Sequence, residues 1–249
     1  MFRYPQTRTT ATLDCDSSVQ TVYGNQELAE VGYNPYKHGR KAYNPLFVFE
    51  SHLRISLGGE LRPGKAKDKS EAIASLRNAL EKIPSGIARS RIRMRGDAGF
   101  YCGETVEFLD GERYGFVIVA QVTTPIKMKI PELEYRTFNQ KEQLAIAEFR
   151  YQPSGWKKAY RFVAMRYTLP PEPETSQRTL FKTDRYEYHV FVTNLDIDPE
   201  SVWYFYNGRA AIEIDIKALK ADFFMSKIPT RQFMANQAHL KLLLLDYDL

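Results

Sequence analysis

The chain has 249 residues, 43% of them apolar, with 35 Lys+Arg against 30 Asp+Glu for a formal charge of +5. That is enough length and hydrophobicity to bury a core, so overall disorder is excluded. The longest purely aliphatic run, 242–245, is far short of the roughly 20 apolar residues of a membrane-spanning helix, and no apolar signal-peptide region follows Met1. Cys15, Cys102 and four scattered histidines make neither a disulfide framework nor a zinc site, which points to reduced thiols in a cytoplasmic protein.

The first half reads as strands with few helices. An alternating run over 9–13 leads into Asp14-Cys15-Asp16, and a second run over 19–23 resumes after Ser17-Ser18, which predicts a hairpin-like pair. A loop over 32–44 precedes a third run at 46–50, with 54–57 behind it. Its aromatic-rich part, 33–43, reads equally as a DNA-facing loop or a packed surface loop. From Asp68 the period changes: Ile73, Leu76, Leu80 and Ile83 are helically spaced, and Pro84-Ser85-Gly86 ends the segment. Arg91, Arg93 and Arg95 alternate with Ile92 and Met94, a strand that runs into Gly96-Asp97. A short helix at about 103–109 and an apolar strand at 114–120 follow. Helices alternating with strands after an opening meander predict an α/β fold, a mixed sheet flanked by helices.

Alternating stretches at 147–151, 159–167 and 186–192 are separated by a turn at 152–155 and by a Pro/Glu/Thr-rich run at 169–183. They read as antiparallel strands of a separate β-rich insertion, with 170–177 its flexible loop. Asp198 then suits an N-cap, Pro199 the first helical position and Glu200 the positive helix end. One helix is expected from there to about 222 and another over 231–245. The division is 1–120 and 196–249 as two parts of one domain, interrupted by 121–195.

Tyr206, Arg209, Glu213 and Lys220 fall within a sector of roughly 60° on a continuous helix turning about 100° per residue. A carboxylate bracketed by two cations and a phenol suits metal and phosphate chemistry, although solvated faces carry similar ion pairs. Asp16 and Asp97 each end a predicted strand. Three carboxylates from two strands and a helix are what a two-metal phosphoryl-transfer site requires, because each ion takes hard oxygen ligands.

These residues resemble a known family. The helix fits the Y-x2-R-x3-E-x6-K signature of bacterial insertion-sequence transposases, the YREK branch of the DDE enzymes, at Tyr206, Arg209, Glu213 and Lys220. The stretches LDCDSSVQTVYGNQELAEVGYNP, LRPGK and RGDAGF look like the DDE-domain group 1 transposases. The resemblance implies an RNase H-like (retroviral-integrase-like) core and a triad of Asp16, Asp97 and Glu213 that binds two Mg2+ ions, which Mn2+ can replace, with Asp16 bridging. The implied reaction is phosphodiester hydrolysis at a transposon end, then strand transfer into target DNA. Either Asp14 or Asp16 can be the first ligand, since they share a strand face, and the family's D-S/T continuation favours Asp16.

By the same resemblance Tyr206, Arg209 and Lys220 position DNA phosphates. Arg95 is a further candidate phosphate contact, and Trp156 is a candidate for stacking on an unpaired base, against the plain alternative of a core tryptophan. The implied partners are transposon-end and target DNA and a homodimer in a synaptic complex, with no membrane. Members of the family carry a helical N-terminal region that this sequence lacks, so the expectation is a catalytic-core fragment. The alternative function is an idle remnant that binds DNA or a full-length relative nonspecifically.

Overall fold

The computed structural model describes residues 8–32, 34–35, 37–65, 69–139, 143–169 and 186–249. Its centre is β1 (Ala11–Ser17), antiparallel to β5 (Leu46–Glu50) on one edge and parallel to β7 (Ile92–Gly96) on the other. Alternation along β1 sends Ala11, Leu13 and Cys15 into one core layer, while Thr12, Asp14 and Asp16 face the opposite side. β6 (Ile55–Glu60) lies outside β5, and β8 (Gly115–Val119) runs parallel to β7.

Helices cover both faces. α1 (Lys69–Leu80), α2 (Gly103–Gly111) and α3 (Thr124–Lys129) bury Leu76, Val106 and Ile126 with Leu13 and Cys15. On the other face α4 (Pro199–Asn207) packs Val202 against Val117 and Phe191. There α5 (Ala210–Ala221) and α6 (Phe233–Tyr247) pack Ile212, Ile216 and Leu240 against Phe47 and Phe49. Among the described residues no helix is long and apolar enough to cross a membrane.

Three expectations change. The first two strands form no hairpin, because both edges of β1 are taken by β5 and β7. β2 (Gln20–Thr21) instead joins β3 (Glu30–Val31) and β4 (Lys41–Tyr43) in a small sheet ordered β2-β4-β3. Within the aromatic stretch Tyr43 is a fully buried core residue, while Tyr33 and Tyr36 lie outside the described residues, as does the loop expected at 170–177.

The β-rich segment forms no sheet of its own. Its strands β9 (Arg136–Asn139), β10 (Leu144–Tyr151), β11 (Tyr160–Thr168) and β12 (Tyr186–Thr193) pair antiparallel, and β12 pairs with β8. The result is one nine-stranded sheet ordered β6-β5-β1-β7-β8-β12-β11-β10-β9. Finally, the helix expected over 198–222 is broken at Gly208-Arg209 into α4 and α5, and Asp198 takes the N-cap position without a side-chain capping bond.

The outer edge of β6 is closed by α6. Buried Gln237 accepts from Leu61 N–H and donates to Gly59 O (3.3 Å) and Glu60 Oε2 (3.0 Å), which satisfies backbone that an edge strand leaves open. Gln237→Leu strands the Leu61 donor and is expected to cost about 1–3 kcal/mol in urea unfolding. An unchanged midpoint would show that this edge is not held by α6.

Candidate active site

Because β1 and β7 are parallel and in register at Cys15–Gly96, the residues that follow, Asp16 and Asp97, emerge side by side at one sheet edge. Asp97 begins a short turn, its Oδ1 accepting from Gly99 N (2.9 Å). Asp16 Oδ1 accepts from Ser17 N (2.8 Å) and pairs with Arg209 Nη2 (2.7 Å). Arg209 comes from the α4–α5 break, is 7% exposed, donates through Nε to Cys15 O (3.3 Å) and reaches Glu213 Oε1 with Nη1 (3.9 Å). One guanidinium thus spans two of the three expected carboxylates.

The electrostatics bind the group together. Burial pushes the Asp16 carboxyl up to about 6; the Arg209 guanidinium opposes the rise, and Asp97 and Glu213 add to it by repulsion. Burial raises the Tyr206 phenol, with Arg209 opposing and Asp97 and Asp16 adding. Burial lowers the Lys220 ammonium, with Asp16 opposing. Asp97, Glu213, Tyr206, Arg209 and Lys220 are each coupled electrostatically to Asp16, even though the helix carrying four of them is interrupted.

The stripe expected to face DNA is partly turned inward. Arg209 is buried against Asp16, so it meets phosphate only by giving up that pair. Arg95, the expected phosphate contact on a strand, is also turned inward. It is 5% exposed and grips Asp14 with a two-pronged pair, Nε to Oδ1 (2.6 Å) and Nη2 to Oδ2 (2.8 Å). Like Arg209, it meets phosphate only by giving up its carboxylate. The same pair engages both oxygens of Asp14, whereas Asp16 is held through Oδ1 by Arg209 and the Ser17 amide.

Among the described residues no group of three or more His, Cys, Asp or Glu side chains is gathered closely enough to hold a metal ion. The donor set nonetheless fits a hard divalent cation in kind: three carboxylates at one edge, two of which raise the third by repulsion that a cation would relieve. The Glu213 side chain is 68% exposed, with Arg209 Nη1 at 3.9 Å.

The family model for the transposase DDE domain group 1 matches residues 1–249. The chain belongs to this family. No curated protein matches it at the sequence level. The fold of this DDE-domain chain is similar to that of the piggyBac transposase, as seen in a cryo-EM structure of its synaptic complex with hairpin DNA. The TM-score is 0.60 at 11% identity, over 97% of this chain and 46% of that one. This DDE-domain chain thus spans less than half the length of the piggyBac chain, and at that identity the likeness is one of fold.

Trp156 of the DDE domain is half-buried. Its ring meets Tyr101 (5.2 Å between centroids) and Tyr160 (5.6 Å, edge-on), a packing role with one side open to a cavity of about 540 Å³. Tyr101 lines the same cavity, and its buried hydroxyl has no hydrogen-bond partner. Sequence reasoning missed the network of Arg95 with Asp14, Ser51 and Phe205. The available signal was the pair Asp14 and Asp16 on one strand face: two acids so close need separate partners.

Proposed function

We propose that this chain is the catalytic domain of a DNA transposase, which hydrolyses a phosphodiester at a transposon end and transfers the strand into target DNA. The observation that carries the reading is that Asp97 and Glu213 both act electrostatically on Asp16, while Arg209 reaches Asp16 and Glu213, in a chain of the DDE family. On this reading the RNase H-like core comprises 1–120 and 196–249, interrupted by 121–195. A sheet that is mixed around β1 and purely antiparallel beyond β8 supports an interrupted core.

Asp16, Asp97 and Glu213 would hold two Mg2+ ions, or Mn2+ in their place, with Asp16 shared. When bound, such ions activate an attacking oxygen and stabilise the leaving one. Lys220 and Tyr206 flank Asp16 and supply a cation and a hydroxyl for phosphate oxygens, and Arg209 joins them once released from Asp16. Trp156 presents its open side to an unstacked base. The partners on this reading are transposon-end and target DNA and a second transposase copy in a synaptic assembly, and the setting is cytoplasmic.

Metal ligation needs the deprotonated carboxylate, so Asp16, which titrates near 6, sets the lower limit. Mn2+ affinity measured by titration is expected to fall about tenfold per pH unit below that value. A flat profile down to pH 4 would remove Asp16 from the ligand set.

A second reading, a folded remnant that binds DNA without cutting it, is favoured by the Arg209 pair, which occupies Asp16. Incubation of folded protein with supercoiled DNA and Mg2+ or Mn2+ separates the two. Ion-dependent conversion to nicked circles supports the transposase. Binding without conversion under either ion supports the remnant.

A further inference from the structure

We infer that Arg95 is a positioning residue: its buried guanidinium joins the strand pair that carries Asp16 and Asp97 to the helix break that carries Arg209 and Glu213. The inference rests on the transposase reading above. Arg95 lies two residues before Asp97, and its partner Asp14 lies two before Asp16. Alternation therefore puts each structural residue on the same face as a candidate ligand. Besides Asp14, the guanidinium donates through Nη2 to Ser51 Oγ and through Nη1 to Phe205 O (2.7 Å).

That last bond explains the break. The Arg209 N–H bonds to Tyr206 O (2.8 Å), one residue short of the helical partner, and Phe205 O is left to accept from Arg95. Arg95 thereby satisfies a terminal carbonyl of α4 and fixes where α5 starts, three residues before Glu213. Its guanidinium also lies over the Phe205 ring, 5.1 Å from the centroid.

Gly208 supplies an independent sign of this role. It is exposed and has φ −59° and ψ −15°, an ordinary right-handed conformation that needs no glycine. A Cβ added there would collide with Arg95 Nη1. A Cβ there would therefore displace the end of a guanidinium already held by Asp14, Ser51 and Phe205 O, so the glycine leaves room for Arg95 as it is docked under the break.

The test is Gly208→Ala, with nicking kinetics and thermal melting measured on the full chain. Alanine is the better helix former, so a passive turn would keep its stability and its activity. Displacing Arg95 shifts the carboxylates relative to one another, and kcat is expected to fall roughly 100-fold while KM for DNA stays within about twofold. Arg95→Lys, which keeps the charge and loses the fork, is expected to show the same split and covers the case in which the alanine variant does not fold. Wild-type kcat in either folded variant, or a loss confined to KM, overturns the positioning role and leaves the transposase reading standing. Absence of ion-dependent nicking in the wild type overturns that reading and this inference with it.

Discussion

Replacing Asp97 with asparagine is expected to abolish ion-dependent nicking while leaving the protein about as stable as the wild type. The asparagine side chain would retain an oxygen for the Gly99 amide, so the turn after β7 keeps its hydrogen bond. What it loses is the negative charge that repels Asp16. Asp97 also attracts Arg209, so the repulsion and the attraction that are lost offset each other, and stability is expected to stay near that of the wild type. The cost falls on catalysis. Losing one of three hard oxygen ligands removes about 4 kcal/mol of stabilisation for the reacting oxygens, or about 1000-fold in rate. Parallel melting and nicking curves decide it: lost cutting with unchanged melting is the expected pair. Equal cutting by Asp97→Asn and wild type would remove Asp97 from the site.

Asp14→Ala is expected to have the opposite signature, a large loss of folding stability. Asp14 is 1% exposed and meets a guanidinium that is itself buried, so truncation leaves Arg95 charged inside the sheet without its counter-ion. Breaking such a pair costs about 3–5 kcal/mol, whereas replacing both partners with apolar groups of similar volume restores much of the loss. Asp14→Leu combined with Arg95→Met is therefore expected to melt well above Asp14→Ala. It should still fail to nick, because the link to Phe205 O is gone. A cost below about 1 kcal/mol for Asp14→Ala would mean that water reaches Arg95 and that the pair belongs to the surface class.

These two aspartates also show what the sequence could and could not say. Alternation in TLDCDSS placed Asp14 and Asp16 on one face of a strand, and the structure keeps them there. It could not say which was spoken for, because the answer lies 81 residues away at Arg95. The basic residue looked like a surface cation for the same reason. An arginine in an alternating strand reads as exposed until its neighbour across the sheet is known. The break at Gly208 was hidden for a related cause, since glycine within an otherwise helical pattern is tolerated and only the approach of Arg95 makes it decisive.

At the scale of the sheet, α1 was legible from the helical spacing of Ile73, Leu76 and Leu80 and β8 from the apolar run Phe116-Val117-Ile118, whereas α3 (Thr124–Lys129) fell in a stretch read as β-rich. Pairing was not legible. Whether 19–23 returns along β1 or leaves it depends on which strands compete for the edges of β1, and those competitors, Leu46–Glu50 and Ile92–Gly96, come later in the chain. The same holds for β12, whose alternation announced a strand but not that it would extend the main sheet through β8.

The central claim is that Asp16, Asp97 and Glu213 share bound divalent ions. Replacing Mg2+ with Fe2+ and adding ascorbate and peroxide generates radicals at the bound ion that cut the nearest backbone. Mapping the fragments of the folded chain in the presence of DNA tests the claim directly. Cuts are expected beside Asp16, Asp97 and Glu213 together, suppressed by excess Mg2+ and lost in Asp97→Asn. Cuts at one of these positions alone, or at none of them in protein that remains folded, would contradict it.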